Sequence, residues 1–433
     1  MTSYGPDALV IGAGPAGLIA AEVLAAAGRR VVVADRMRFP GRKFVLAGRG
    51  GLNLTHSEAI DHLLRRYQAT PNVRGAIVAF DPAALRAWAD GLGEPTFVGS
   101  SGRVFPESFR ATRLLRAWLR RLDGLGVEFR LGHRFVGWTA TGVMLEASGE
   151  TTVVSPRVTL LALGGASWSG TGSDGGWVEV LRGAGISVNP LRPTNCGFLV
   201  DWSESVRSRF AGTPLKNVTV TAAGQTRRGE AMVTMDGIEG GAIYALSAAL
   251  REEIDCVGST TLIIDLRPDL ALVQLTERLT RAKARDSLAN VLRKGAGLSP
   301  VGAALVREAA ARRTQVAPDP PPTGAVGAAS TVTLGAPPVP REPSELAALI
   351  KAVPIVVSAP MPLSRAISSA GGVAWSEIDG WMLRRRPGTF VAGEMLDWEA
   401  PTGGYLLQGA FSTGVAAAHA MLDYLDPPGW SAG

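Results

Sequence analysis

Cysteine is nearly absent from this chain. Its 433 residues include only Cys196 and Cys256, sixty positions apart and in no CxxC spacing, so neither a redox dithiol nor a thiolate metal cluster is expected. Histidine is as scarce, and four scattered imidazoles do not make a metal site; no metal is expected. Lysine is rare as well, and the net charge of +6 comes from arginine. Arginine-rich surface composition accounts for that charge, so no nucleic-acid partner is expected. Nothing has the pattern of a secretory signal or a stop-transfer segment. The one long apolar run, residues 8–28, is broken by Glu22 and clustered glycines and has no basic flank before it. With 46% apolar residues the expectation is a soluble, cytoplasmic protein of two or three domains and no membrane association.

What is present is concentrated in residues 8–35. Four apolar residues, 8–11, run into Gly12-Ala13-Gly14-Pro15-Ala16-Gly17, then an apolar helical segment, then a strand over 31–34 that ends in Asp35. Strand, GxGxxG, helix, strand and terminal acid follow in the order of a dinucleotide-binding unit. Gly12 allows the sharp turn, Gly14 removes the Cβ that would block a pyrophosphate, and Gly17 lets the helix pack close to the strand. The helix start offers free N–H groups and a positive dipole end to phosphates. A carboxylate at 35 suits a ribose with a free 2′-hydroxyl, which points to FAD or NAD rather than NADP. There is no second GxGxxG, so the two-nucleotide layout of glutathione reductases is absent.

Arg36 follows the acid. Residues 41–55 then read Gly41-Arg42-Lys43-Phe44-Val45-Leu46-Ala47-Gly48-Arg49-Gly50-Gly51-Leu52-Asn53-Leu54-Thr55, glycines beside cations in the manner of a loop that wraps phosphate or ribityl oxygens. Residues 158–165 are an apolar run closed by Gly164-Gly165, a buried parallel strand. Residues 388–397 form a strand ending in Gly393-Glu394, and Gly403-Gly404-Tyr405-Leu406-Leu407 opens a small-residue helix. Such a helix start can aim N–H groups at a flavin edge that gains negative charge on reduction, and a strand-end acid such as Glu394 can bind ribityl hydroxyls.

The loop resembles that of bacterial NAD(P)/FAD-dependent oxidoreductases of the BaiN/YhiN type, where R-K-x-x-x-S-G-G-G-R-C-N is typical. Arg42, Lys43, Gly48, Gly50 and Asn53 match, whereas Ala47, Arg49, Gly51 and Leu52 replace Ser, Gly, Arg and Cys. Gly50-Gly51-Leu52-Asn53 is also similar to the Gly-Gly-Met-Asn of fumarate-reductase flavoproteins. Those carry an attachment histidine just before the loop, and its absence here implies non-covalent FAD. Further blocks follow the same family: Gly102-Arg103-Val104-Phe105-Pro106, the strand with Gly164-Gly165, Ile264-Asp265-Leu266, Ser369-Ala370-Gly371-Gly372-Val373, and the Gly393-Glu394 and Gly403-Gly404-Tyr405 segments. In residues 229–241, Met235, Glu239 and Gly241 replace the family's His, Ser and Pro. Leu406 replaces an Asn.

The resemblance implies a cofactor set of Gly12, Gly14, Pro15, Ala16, Gly17, Asp35, Arg36, Lys43, Gly50, Gly51, Leu52, Asn53, Val136, Gly164, Gly165, Gly393, Glu394, Gly404, Tyr405, Leu406 and Leu407. Val136 would touch the adenine through its backbone. Arg103 and Glu239 are candidate catalytic groups, and His133 reads as structural. The expected fold is α/β: a Rossmann-type FAD-binding domain from both chain ends, 1–191 and 366–433. A β-barrel-like substrate domain (192–268 and 350–365) and a helical cap (269–349) interrupt it. The implied activity is hydride transfer between the flavin and a small organic substrate, with NAD(P)H as a transient donor for an unsaturated or keto compound. Amine oxidation with oxygen is the alternative, and an RNA-modifying flavoprotein is a third, disfavoured by Leu52 where relatives carry Cys.

Local expectations complete the reading. Residues 126–138 alternate as a strand pair feeding the sheet, and Ser108 caps the helix that follows it. That helix turns Arg113, Arg116 and Arg120 to solvent. Residues 318–343 form a connector or the barrel edge.

Overall fold

The computed structural model describes residues 5–48, 50–283, 285–312 and 339–427. Arg49, and the proline-rich connector as far as 338, lie outside the described residues. The chain forms two compact units: one runs to Thr194 and resumes at Pro362, and the other is Asn195–Met361. The helices expected as a separate insert belong to the second unit, together with its strands.

The first unit is built on a seven-stranded sheet. Its five parallel strands lie in the order Thr389–Val391, Val158–Leu161, Ala8–Ile11, Val31–Asp35, Glu128–Leu131, with the short strands Met382–Leu383 and Ile378–Asp379 antiparallel at one edge. The N-terminal strand is central and a C-terminal one lies two places away, so both chain ends build this sheet. Sequences such as ALVI and VTLL are apolar throughout because the sheet is covered on both faces. Ala8, Val10, Val31 and Val33 pack with Leu114, Trp118 and Phe411 on one side; Leu9, Ile11, Val32 and Ala34 pack with Phe135, Leu145 and Leu181 on the other. Helices Pro15–Ala26 and Tyr405–Leu425 lie against each other, and Gly414 permits this: a Cβ there would stand 2.4 Å from the Ala16 carbonyl oxygen.

Two local expectations are corrected. Only Glu128–Leu131 joins the parallel sheet; Arg134–Trp138 pairs instead with Val143–Ala147 in a three-stranded antiparallel sheet. Gly132, at φ +77°, turns the chain between them, and the His133 N–H donates to the Asp35 carbonyl at 2.9 Å. Ser108 does not cap the helix, which begins at Ala111. Its hydroxyl donates to Glu94 at 2.8 Å, and Phe109 takes a left-handed φ of +52° before the helix can start.

That helix buries Leu114, Leu115, Trp118 and Leu122, while Arg113, Arg116 and Arg120 are exposed and Arg113 pairs with Glu94. Replacing the three arginines by glutamine is expected to leave FAD content per chain unchanged, measured from the visible spectrum; a clear loss would give this face a part in cofactor binding.

The second unit holds a six-stranded antiparallel sheet, in order Phe198–Leu199, Gly237–Glu239, Gln225–Val233, Thr213–Ala222, Thr260–Asp265, Val353–Val357. The chain just beyond the last strand returns to the first: the Leu199 N–H donates to Ala359 and the Ser358 N–H to Leu199. Helices Leu272–Thr280, Pro300–Arg312 and Pro343–Lys351 belong to this unit. Glu239 lies here opposite Met232, at the end of a strand flanked by Phe198–Leu199 and Gln225–Val233. Among the described residues no helix is long and apolar enough to cross a membrane, and no group of three His, Cys, Asp or Glu could hold a metal ion.

Candidate functional site

The three glycines of the first turn meet three different demands. Gly12 has φ +110°, and a Cβ would lie 2.2 Å from the Ala162 carbonyl oxygen; at Gly17 it would lie 1.9 Å from that of Gly12. Both are packing requirements of the turn. Gly14 differs: its φ is −86° and a Cβ would meet no protein atom within 4 Å. The space it leaves open is a cavity of about 740 Å³, within the roughly 300–1,000 Å³ of cofactor pockets.

The wall of this cavity comes entirely from the first unit. It includes Gly12, Gly14, Pro15, Ala16, Asp35, Arg36, Lys43, Gly51, Leu52, Asn53, Val136, Gly164, Gly393, Glu394, Gly404, Leu406 and Leu407, with Arg103. Four residues expected at the cofactor are not on it. Gly17 lies behind the turn, and Gly50 is outside the wall. Gly165 makes room for Ser369, whose Oγ would be 1.8 Å from a Cβ there. Tyr405 turns away: its hydroxyl donates to Glu58, and its ring stacks on His56 at 5.3 Å.

At one end of the wall the Asp35 carboxylate accepts the N–H of Ala13 at 2.6 Å and that of Met37 at 2.7 Å. Burial, its largest influence, pushes its pKa above the ordinary value of 3.8, against those two donors and the charge of Arg36. Ribose hydroxyls donating to its remaining lone pairs would favour the ionised form. Arg36 bridges to Asp174. Val136 is the extra residue of a β-bulge, with Phe135 opposite Leu145 and Gly137 opposite Met144, so its own backbone faces no ladder partner. A bulged backbone on the cavity wall suits a flat heteroaromatic ring such as adenine.

The other end joins the two chain termini. Lys43 Nζ donates to Ser167 Oγ at 2.8 Å and to Glu394 Oε2 at 2.7 Å, and Glu394 Oε1 accepts the Ser369 N–H at 3.0 Å. Helix Tyr405–Leu425 begins after Gly404, whose φ is +100° and where a Cβ would lie 2.6 Å from the Thr55 backbone. The residues fit a dinucleotide. The pocket opens where Gly14 lacks a Cβ, a helix start with Pro15 at its first turn faces it, and Asn53 Oδ1 and Ser173 Oγ on the wall are buried without a hydrogen-bond partner. Sequence reasoning did not find Trp168, Trp398 and Ser368 on this wall. Trp168 and Trp398 stand in no motif, and the pairing of Lys43 with Glu394 spans 351 positions, so no local pattern signals them.

The family model described as HI0933-like protein Rossmann domain matches residues 6–420. The ribosomal RNA dihydrouridine synthase of Escherichia coli strain K12 is 24% identical over 422 residues, covering 96% of this chain and 98% of that protein. The 3-dehydro-bile acid delta(4,6)-reductase of Clostridium scindens is 23% identical over 425 residues, covering 96% and 98%. Among solved structures, the 3-ketosteroid-delta4-(5alpha)-dehydrogenase of Rhodococcus jostii RHA1 is similar with a TM-score of 0.48 at 15% identity, covering 96% and 97%.

Proposed function

Because the chain belongs to the HI0933-like Rossmann family and is a flavoprotein oxidoreductase of that fold, we propose that its cavity holds non-covalent FAD and that it reduces an unsaturated or keto compound with electrons from NAD(P)H. The observation that carries this reading is the single cavity that unites the Gly12–Gly17 turn, Asp35, the Val136 bulge, the 41–53 loop and Glu394. When bound, FAD supplies hydride chemistry at its N5. The protein's residues do the rest. The Gly14 turn and the helix start receive the diphosphate, Asp35 the adenosine ribose, and Val136 the adenine edge. Glu394, held by Lys43 and Ser369, receives ribityl hydroxyls. The start of helix Tyr405–Leu425 would meet negative charge that develops on the reduced ring.

The net reaction takes a hydride and a proton to the substrate double bond while the reduced nicotinamide is oxidised. The relative named as a 3-dehydro-bile acid delta(4,6)-reductase supports this class. An RNA substrate is the second reading, supported by the relative named as an rRNA dihydrouridine synthase, and it bears on the expectation of no nucleic-acid partner. The purified protein is expected to be yellow and to release intact FAD on acid precipitation. Colour that stays with the precipitate, or FMN in the supernatant, would contradict the reading. Retention on an RNA column with no turnover of small molecules would favour the second.

A further inference from the structure

Resting on the flavoprotein reading above, we propose that the substrate is a carboxylic acid whose carboxylate is bound by Arg103. Five long cations stand on the cavity wall, and three are neutralised within the protein: Arg36 by Asp174, Lys43 by Glu394, and Arg134 by Glu146. Among the described residues Arg42 and Arg103 have no carboxylate partner. Arg42 follows Gly41, whose N–H donates to the Ala13 carbonyl at 2.8 Å, so it sits beside the glycine turn and belongs to the diphosphate. Arg103 does not. It stands beside Gly403, its Nε 3.7 Å from where a Cβ on that glycine would lie, on a wall it shares with Leu52, Asn53 and Leu406.

The backbone under Arg103 is anchored while the side chain is left exposed to the cavity. Its strand pairs with Thr55–His56, with His56 opposite Arg103. Gly102, at φ +79°, lies so close to the His56 ring that a Cβ would be 2.6 Å from it. The carboxylate on that side, Glu58, is engaged by Arg66 at 3.1 Å and by the Tyr405 hydroxyl, so it does not neutralise Arg103. A cation with a planar donor fork, on a wall that also carries Leu52, Leu406 and Ile367, matches a carboxylate on an apolar skeleton. Neutral ketones or amides of the same skeleton would leave the guanidinium without a counter-charge.

The test uses the FAD-loaded protein, first checked for flavin content, and trans-cinnamate against its neutral isostere cinnamamide, each followed by the change in the flavin visible spectrum. Cinnamate is expected to saturate at least about tenfold more tightly than cinnamamide. Arg103→Gln should weaken cinnamate by roughly ten- to a hundredfold and erase the preference, with Arg103→Lys retaining part of it. FAD per chain and melting temperature should match the parent in both variants. Equal binding of acid and amide, no spectral response to cinnamate, or an unchanged preference in Arg103→Gln would overturn the proposal. So would inorganic phosphate displacing cinnamate at lower concentration, which would make this a phosphate site. A colourless parent protein instead contradicts the flavoprotein reading, and it is seen before any titration begins.

Discussion

Gly14→Val is expected to fold as well as the parent and to lose FAD. The backbone at Gly14 is in an ordinary extended region, with φ −86° and ψ −179°, and no protein atom lies within 4 Å of the added Cβ. The side chain therefore projects into the cavity, where the diphosphate would lie, and blocks charge-assisted hydrogen bonds from the helix start. Losing one or two such bonds weakens FAD by on the order of a hundredfold or more. Gly17→Ala should behave in the opposite sense, because its Cβ would stand 1.9 Å from the Gly12 carbonyl oxygen. It is expected to lower the melting temperature first and to lose flavin only as a consequence. Melting curves and FAD content of the two purified variants separate these cases. Matching stability loss in both would mean that Gly14 is a packing glycine like its neighbours.

The second large effect belongs to Glu394. Its carboxylate joins Lys43, from the N-terminal segment, to the Ser369 N–H, from the C-terminal one. Glu394→Ala removes the acceptor for both and leaves the Lys43 ammonium, which is half-buried, with Ser167 alone. Affinity for FAD is expected to fall roughly ten- to a hundredfold, since each bond to a charged group contributes about 1.5–3 kcal/mol. Glu394→Gln keeps the shape and one acceptor oxygen but replaces the other with a donor NH2 and loses the charge, so it should retain only part of the affinity. Fluorescence titration of the cofactor-free variants with FAD measures this directly. Equal dissociation constants for parent and Glu394→Ala would remove Glu394 from the cofactor site. Gly404 offers no comparable test: at φ +100° and against the Thr55 backbone, any side chain there disrupts the loop before it reaches a flavin.

These positions also mark what could be read in the sequence and what could not. The unit from strand Ala8–Ile11 to Asp35 was legible because its signal is local: the glycines are spaced within one turn, and the acid ends the next strand. The closing strand and helix near Glu394 were legible for the same reason. What escaped depends on distant parts of the chain. Lys43 and Glu394 are 351 positions apart, and Trp398 reaches the wall from a segment with no periodicity. Two local failures have local causes. Gly132 and the unusual φ of Phe109 redirect the chain just where alternation and capping propensity predicted continuity. Val136 was placed by resemblance; its physical distinction, the extra residue of a bulge, exists only once Phe135 and Gly137 have found partners.

The most direct test of the account is an anaerobic reductive titration of the purified protein, read by the visible flavin band. The account predicts one FAD per chain, bleached by NADH or NADPH and restored when an unsaturated or keto acid is added without oxygen. A bound flavin that neither reduced nicotinamide bleaches, or a protein that carries no FAD, would contradict it.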